Sequence, residues 1–138
     1  MTQLIADTSG LYALADRKDP HHGPAAAFLK GLTLADSLLV SNHVFDETMT
    51  TVKARLGMQA ALQLGLRLRN SRLVEMVVFS PADEQEIWRV FSQHTDKAWS
   101  YTDCACRMLA QQRSIGQAFT FDRHFAQMGL AMAPAVQP

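Results

Sequence analysis

Short apolar runs that alternate with segments of helical period constrain the fold of this chain more than any other feature. The runs are Gln3–Ala6, Leu38–Ser41, Leu73–Phe79 and Ala118–Phe121, the third with the β-branched and aromatic enrichment of a buried strand. Between them, Ser9–Ala15, Ala25–Leu32, His43–Leu56, Met58–Arg69 and Thr102–Arg113 repeat apolar residues at helical spacing. One more helix follows Leu73–Phe79: Ser80 is its expected N-cap, Pro81 its first residue, Asp83 and Glu84 its first turn, and Ile87, Val90 and Phe91 its buried stripe. A last helical turn, Arg123–Gln127, leads to a weak strand near Leu130–Met132. Strands separated by helices pair in parallel, because a parallel crossover needs a dozen or more residues. The expected fold class is α/β, a three-layer α/β/α sandwich with a mostly parallel central sheet.

No repeat, low-complexity tract or linker interrupts the pattern, so a single domain over residues 1–138 is expected. A domain of that size buries roughly two-thirds of the surface of its unfolded chain. Leu38–Val40 and Met76–Phe79 fall far short of the roughly 18 apolar residues that span a bilayer. The start MTQLIADTSG lacks the basic and apolar regions of a signal peptide, so a cytoplasmic protein with no membrane segment is expected. Cys104 and Cys106 point to different sides of a helix and read as reduced thiols, at least one of them packed. The segment Asp19-Pro20-His21-His22-Gly23-Pro24 reads as a solvated loop from its breakers.

Lys plus Arg number 13, as do Asp plus Glu, so the chain lacks the basic excess of a protein that holds nucleic acid by its own charge. The carboxylates are more informative. Asp7 ends the first strand, Asp122 ends the fourth, Glu47 lies early in the helix after the second strand, and Asp103 starts the helix before the fourth. In an open parallel sheet ligands bind beyond the carboxyl ends of the strands, and the topology can bring all four acids to that rim. Taken singly, an Asp at a helix start is a cap that stabilises by about 0.5–2 kcal/mol. Taken together, four carboxylates repel by about 4 kcal/mol per close pair at roughly 4 Å and an effective dielectric near 20, so the cluster needs a cation. Oxygen-only ligation suits Mg²⁺ or Mn²⁺, and the chemistry that follows is phosphodiester hydrolysis by a metal-activated water.

The segments IADTSGLYAL, VFDETMTTV, WSYTDCACRMLA and AFTFDRHFAQMG resemble, in order and spacing, the four motifs of PIN-domain ribonucleases. The likeness runs from Gln3 to about Met132, and its last two segments are the most specific. It implies that Asp7, Glu47, Asp103 and Asp122 coordinate Mg²⁺ or Mn²⁺ and activate water to cut single-stranded RNA. It also implies that Thr8, Ser9, Thr102 and Thr120 assist phosphate binding or hydrogen-bond to the acids. The chain looks like the toxin half of a VapC-type toxin–antitoxin pair, which implies a small antitoxin partner, often blocking the pocket with an Arg, and a homodimer. The alternative is a catalytically silent or housekeeping module that binds RNA or protein; retention of all four acids argues against it.

Asp46 beside Glu47 leaves open which acid of the pair faces inward, and Asp96 reads as solvated surface. His21 and His22 have no matching third ligand, His124 reads as a surface or helix-start residue, and His43 and His94 carry no signal. Lys53, Arg55, Arg67, Arg69 and Arg72 form the densest basic region and read as solvated surface. A dehalogenase-type phosphatase requires a second Asp where this chain has Ser9, and a receiver domain requires an acidic pair after the first strand and a late Lys, both missing.

Overall fold

The structure, a computed structural model, describes residues 1–135. Its elements in chain order are β1 (Gln3–Ala6), α1 (Thr8–Ala15), α2 (His22–Lys30), β2 (Ser37–Ser41), α3 (Asn42–Leu56) and α4 (Met58–Asn70). They continue with β3 (Val74–Val77), α5 (Pro81–Gln93), α6 (Tyr101–Arg113), β4 (Gln117–Phe119), α7 (His124–Gln127) and β5 (Ala131–Ala133). The five strands form one sheet in the order β3-β2-β1-β4-β5, every neighbouring pair parallel. Helices cover it to give the α/β/α sandwich.

The central strands are apolar along their length because both of their faces are covered. Leu4, Ile5 and Ala6 of β1, Leu38, Leu39 and Val40 of β2, and Ala118 and Phe119 of β4 are all buried. Ile5 lies opposite Leu39 on one side and Ala118 on the other. The chain winds outward from β1 through β2 to β3, then crosses back to place β4 on the other side of β1. The direction of winding therefore reverses between β1 and β4, and that is where a crevice opens in such a sheet.

Gly10 lets the start of α1 sit against β4. A Cβ there would lie 2.7 Å from the Phe119 carbonyl oxygen and 2.8 Å from its ring. Gly57 separates α3 from α4 at φ 96°, a left-handed conformation that glycine adopts without a steric penalty.

Three local expectations are corrected. Helix α2 begins at His22, not Ala25, because Pro24 falls in the first turn, where a proline costs no hydrogen bond. His22 also docks there, its Nδ1 lying 2.7 Å from the Ala13 carbonyl oxygen. Phe91 is 38% exposed, not part of the buried stripe of Ile87 and Val90, and its ring packs edge-on against Tyr101 at 5.3 Å. The strands are trimmed: β3 and β4 end before Phe79 and Phe121 as the chain turns toward the next helix. Both cysteines are buried and unpaired. Among the described residues no helix is long and apolar enough to cross a membrane.

Candidate active site

Asp7 follows β1 directly and caps α1, so backbone hydrogen bonding fixes its place at the switch point. Its Oδ2 accepts from the Ser9 backbone N–H at 3.3 Å, the Ser9 hydroxyl at 2.7 Å and the Thr120 hydroxyl at 2.9 Å. Each hydroxyl is oriented from its other side: Ser9 Oγ accepts from Phe121 N–H and Thr120 Oγ1 from Asp122 N–H, both at 2.9 Å. The Asp7 carboxyl group is thus wired to the segment after β4. Burial pushes its pKa up to about 6, the hydroxyl donors oppose the shift, and the nearby Asp103 charge adds to it.

Asp103 is the third residue of α6 and is 7% exposed. Ser100 and Asp103 form a capping box: Asp103 Oδ2 accepts from Ser100 N–H, and Ser100 Oγ accepts from Asp103 N–H, both at 3.0 Å. Asp122 begins the turn into α7, and its Oδ1 accepts from His124 N–H at 2.9 Å. The loop before α6 is tied to α7 by the buried Trp99, whose Nε1–H donates to Gln127 Oε1 at 3.0 Å. These bonds bring the starts of α6 and α7 together. The His124 ring Nδ1 lies 3.2 Å from Asp103 Oδ2 and 3.5 Å from Asp122 Oδ1.

Asp7, Glu47, Asp103 and Asp122 all line one open cavity of about 490 Å³, together with Thr8, Ser9, His21 and His124. Glu47 reaches it half-buried from α3, whereas its neighbour Asp46 is exposed and accepts from the Thr50 hydroxyl one turn on. Glu47 is therefore the inward acid of that pair. Thr120 is fully buried and meets the site through Asp7. Thr102 is half-buried on α6 and is not among the residues that line the cavity. Asp96 is exposed beside Lys97.

Several lining residues escape sequence reasoning. His21 is not merely solvated: its ring stacks on Phe121 with centroids 4.2 Å apart and planes 9° from parallel. His124 stands between two acids, and nothing local in the sequence reveals that Asp103 is near it. Arg55 lines the cavity with its guanidinium 5.2 Å from the Tyr12 ring centre, while the Tyr12 hydroxyl donates to Asp16. Lys53 and Arg69 flank a separate apolar groove with Met58, Leu62 and Leu66, so the basic residues of this stretch do not form one stripe toward the acids.

The donor set fits a divalent cation. Among the described residues, hydrogen bonds reach only one oxygen each of Asp7, Asp103 and Asp122, leaving each a second oxygen to coordinate. Asp103, Asp122 and His124 each offer a ligand atom, all within 4.8 Å of one another. Burying carboxylates side by side without a counter-charge is unfavourable, and a cation relieves it.

A family model described as PIN domain matches residues 4–130. The 23S rRNA-specific endonuclease VapC20 of Mycobacterium tuberculosis is 27% identical over 91% of this chain and 94% of its own length. Ribonuclease VapC26 of the same organism is 29% identical over 91% of each. The crystal structure of VapC20, described as a Sarcin-Ricin loop cleaving toxin, superposes with a TM-score of 0.85 over 98% of this chain and 99% of that one, at 26% identity. VapBC2 of Rickettsia felis, solved bound to a DNA fragment from its promoter, shares the fold at a TM-score of 0.70 and 15% identity, covering 95% of this chain and 97% of that one.

Proposed function

This chain belongs to the PIN-domain family, and from that premise we propose that it is an endoribonuclease, dependent on Mg²⁺ or Mn²⁺, that hydrolyses RNA phosphodiester bonds. The observation that carries the reading is the meeting of Asp7, Glu47, Asp103 and Asp122 on one cavity in a chain with no net charge. Such a concentration of acid has no use in holding a polyanion unless a cation intervenes. A bound divalent ion supplies a Lewis acid for the phosphoryl oxygen and lowers the pKa of a water.

The residues of the chain do the rest. Ser9 and Thr120 fix the Asp7 carboxyl group in one orientation, and the capping box does the same for Asp103. Asp7, Glu47, Asp103 and Asp122 would hold the ion. Arg55 offers a positive charge to the RNA backbone at the rim, and the stacked His21 and Phe121 offer an aromatic surface to an unstacked base. Cleavage of a single-stranded RNA should require added Mg²⁺ or Mn²⁺ and fall by about 100-fold or more in Asp7→Asn. Undiminished, metal-independent cleavage by that variant would overturn the reading.

The enzyme acts, in this reading, as the toxin of a toxin–antitoxin pair in the cytoplasm. The named relatives VapC20 and VapC26 support this, as does the shared fold with VapBC2. Expression should arrest growth, with relief by a small protein encoded beside it; harmless high-level expression would count against the toxin role and leave the nuclease reading standing.

A further inference from the structure

We infer that His124 is a metal ligand of this pocket, which gives the site a mixed oxygen and nitrogen donor set and moves its preference from Mg²⁺ toward Mn²⁺. The inference rests on the metal dependence proposed above and goes beyond it by naming a fifth ligand and its consequence for the choice of ion.

The geometry is the first argument. Ligands that share an edge of an octahedron with bonds near 2.1 Å lie about 3 Å apart. The His124 Nδ1 is 3.2 Å from Asp103 Oδ2 and 3.5 Å from Asp122 Oδ1, close to that separation on both sides. Each of these two oxygens accepts one backbone hydrogen bond and keeps a lone pair for an ion, so the imidazole and the two carboxylates converge as donors to one ion would.

Preorganisation is the second. The His124 backbone N–H is held by Asp122 Oδ1, and α7 is tied through Gln127 to Trp99, just before the Asp103 capping box. Ring and acids thus share one rigid corner, and His124 faces the cavity. Asp7 reaches the same cavity from beside the close set of Asp103, Asp122 and His124.

The chemistry follows from the donor atoms. Mg²⁺ takes oxygen ligands and keeps its waters, whereas imidazole nitrogen suits transition-metal ions. The oxygen-only set expected from the sequence suits both Mg²⁺ and Mn²⁺, whereas a nitrogen donor favours Mn²⁺, the transition-metal ion of the two.

The test uses the whole chain without RNA. Metal-free protein is titrated with MnCl₂ and with MgCl₂ by calorimetry, and the Mn²⁺ complex is examined by electron spin echo spectroscopy. The expected result is ¹⁴N modulation from a directly bound imidazole and Mn²⁺ affinity at least about 10-fold above that for Mg²⁺. His124→Gln should remove the nitrogen signal and weaken Mn²⁺ by about 10-fold, with Mg²⁺ changed by less than about twofold. His124→Asp, which restores an oxygen donor, should bring the two affinities together. Mn²⁺ binding without nitrogen coupling, or equal losses for both ions in His124→Gln, would mean that the ring only hydrogen-bonds to Asp103, and the inference fails alone. Absence of binding by either ion to the unaltered protein would overturn the metal reading itself.

Discussion

Helices α5 and α6 open on the same device. In α5, Ser80 N–H donates to Asp83 Oδ2 at 3.0 Å and Asp83 N–H to Ser80 Oγ at 3.1 Å; in α6 the matching bonds between Ser100 and Asp103 are both 3.0 Å. Up to that point the two aspartates are chemically alike. Their second oxygens differ. Asp83 Oδ1 accepts from the Gln112 side chain at 2.8 Å, and hydrogen bonds from the Ser80 backbone and Gln112 hold the carboxyl group below its usual pKa range. Asp103 sits at the crevice beside Asp7, its Oδ1 without a hydrogen bond among the described residues. Capping and the proposed metal binding are thus not rival roles for Asp103. The cap leaves the carboxyl group of Asp103 facing the cavity at the switch point of the sheet, where the proposed ion would bind.

The sharpest way to break this comparison is to neutralise each acid in turn. Asp103→Asn keeps a cap acceptor and should leave the melting temperature within a few degrees while cleavage falls by about 100-fold or more. Asp83→Asn should leave cleavage unchanged. Equal effects on rate would show that the two capping boxes do not differ in function.

A smaller effect is expected one shell out. Ser9→Ala removes the shortest hydrogen bond to Asp7 and should lower metal affinity by about 10–100-fold, read by calorimetry, with the fold retained by circular dichroism. The close approach of α1 to β4 is tested by Gly10→Ala, whose new methyl group meets Phe119. Denaturant unfolding should show a loss of about 1–3 kcal/mol, and a neutral outcome would mean that α1 can move without disturbing Asp7.

The mildest test is pH. Asp7 has its pKa raised from 3.8 to about 6 in the folded protein, so between those values the folded state binds more protons than the unfolded one. Through this group, metal-free stability should fall as pH rises from about 4 to about 6. Asp83, with its pKa lowered, acts in the opposite direction: it stabilises above its unfolded pKa, and that contribution is lost as pH falls through its folded value. An ion held as proposed requires ionised Asp7, so the rise in melting temperature on adding Mn²⁺ should be greater at pH 7.5 than at pH 5. An equal rise at both values would remove Asp7 from the metal site.

Much of this was legible from the chain. Strand and helix periods are local, as are the Ser-x-x-Asp caps, and they placed the strands and helices to within a few residues. The misplaced start of α2 came from reading Pro24 as a breaker, when a first-turn proline is compatible with a helix. Phe91 fits a helical stripe by spacing, yet it lies at the edge of the covered face and stays partly exposed against Tyr101 and Trp88. Thr102 and Thr120 look alike beside or near an acid; only Thr120, at the end of β4, faces Asp7.

The sequence by itself determined the alternation of elements, the parallel sheet it requires, and four acids at strand ends and helix starts. The tertiary structure decided which acids meet, that Glu47 and not Asp46 faces the crevice, that Asp7 is desolvated, and that His124 stands between Asp103 and Asp122. The division has a physical cause. Periodicity and capping depend on hydrogen bonds within about one helical turn or strand, whereas the pocket depends on strand order, which sets β4 beside β1 across more than a hundred residues of chain.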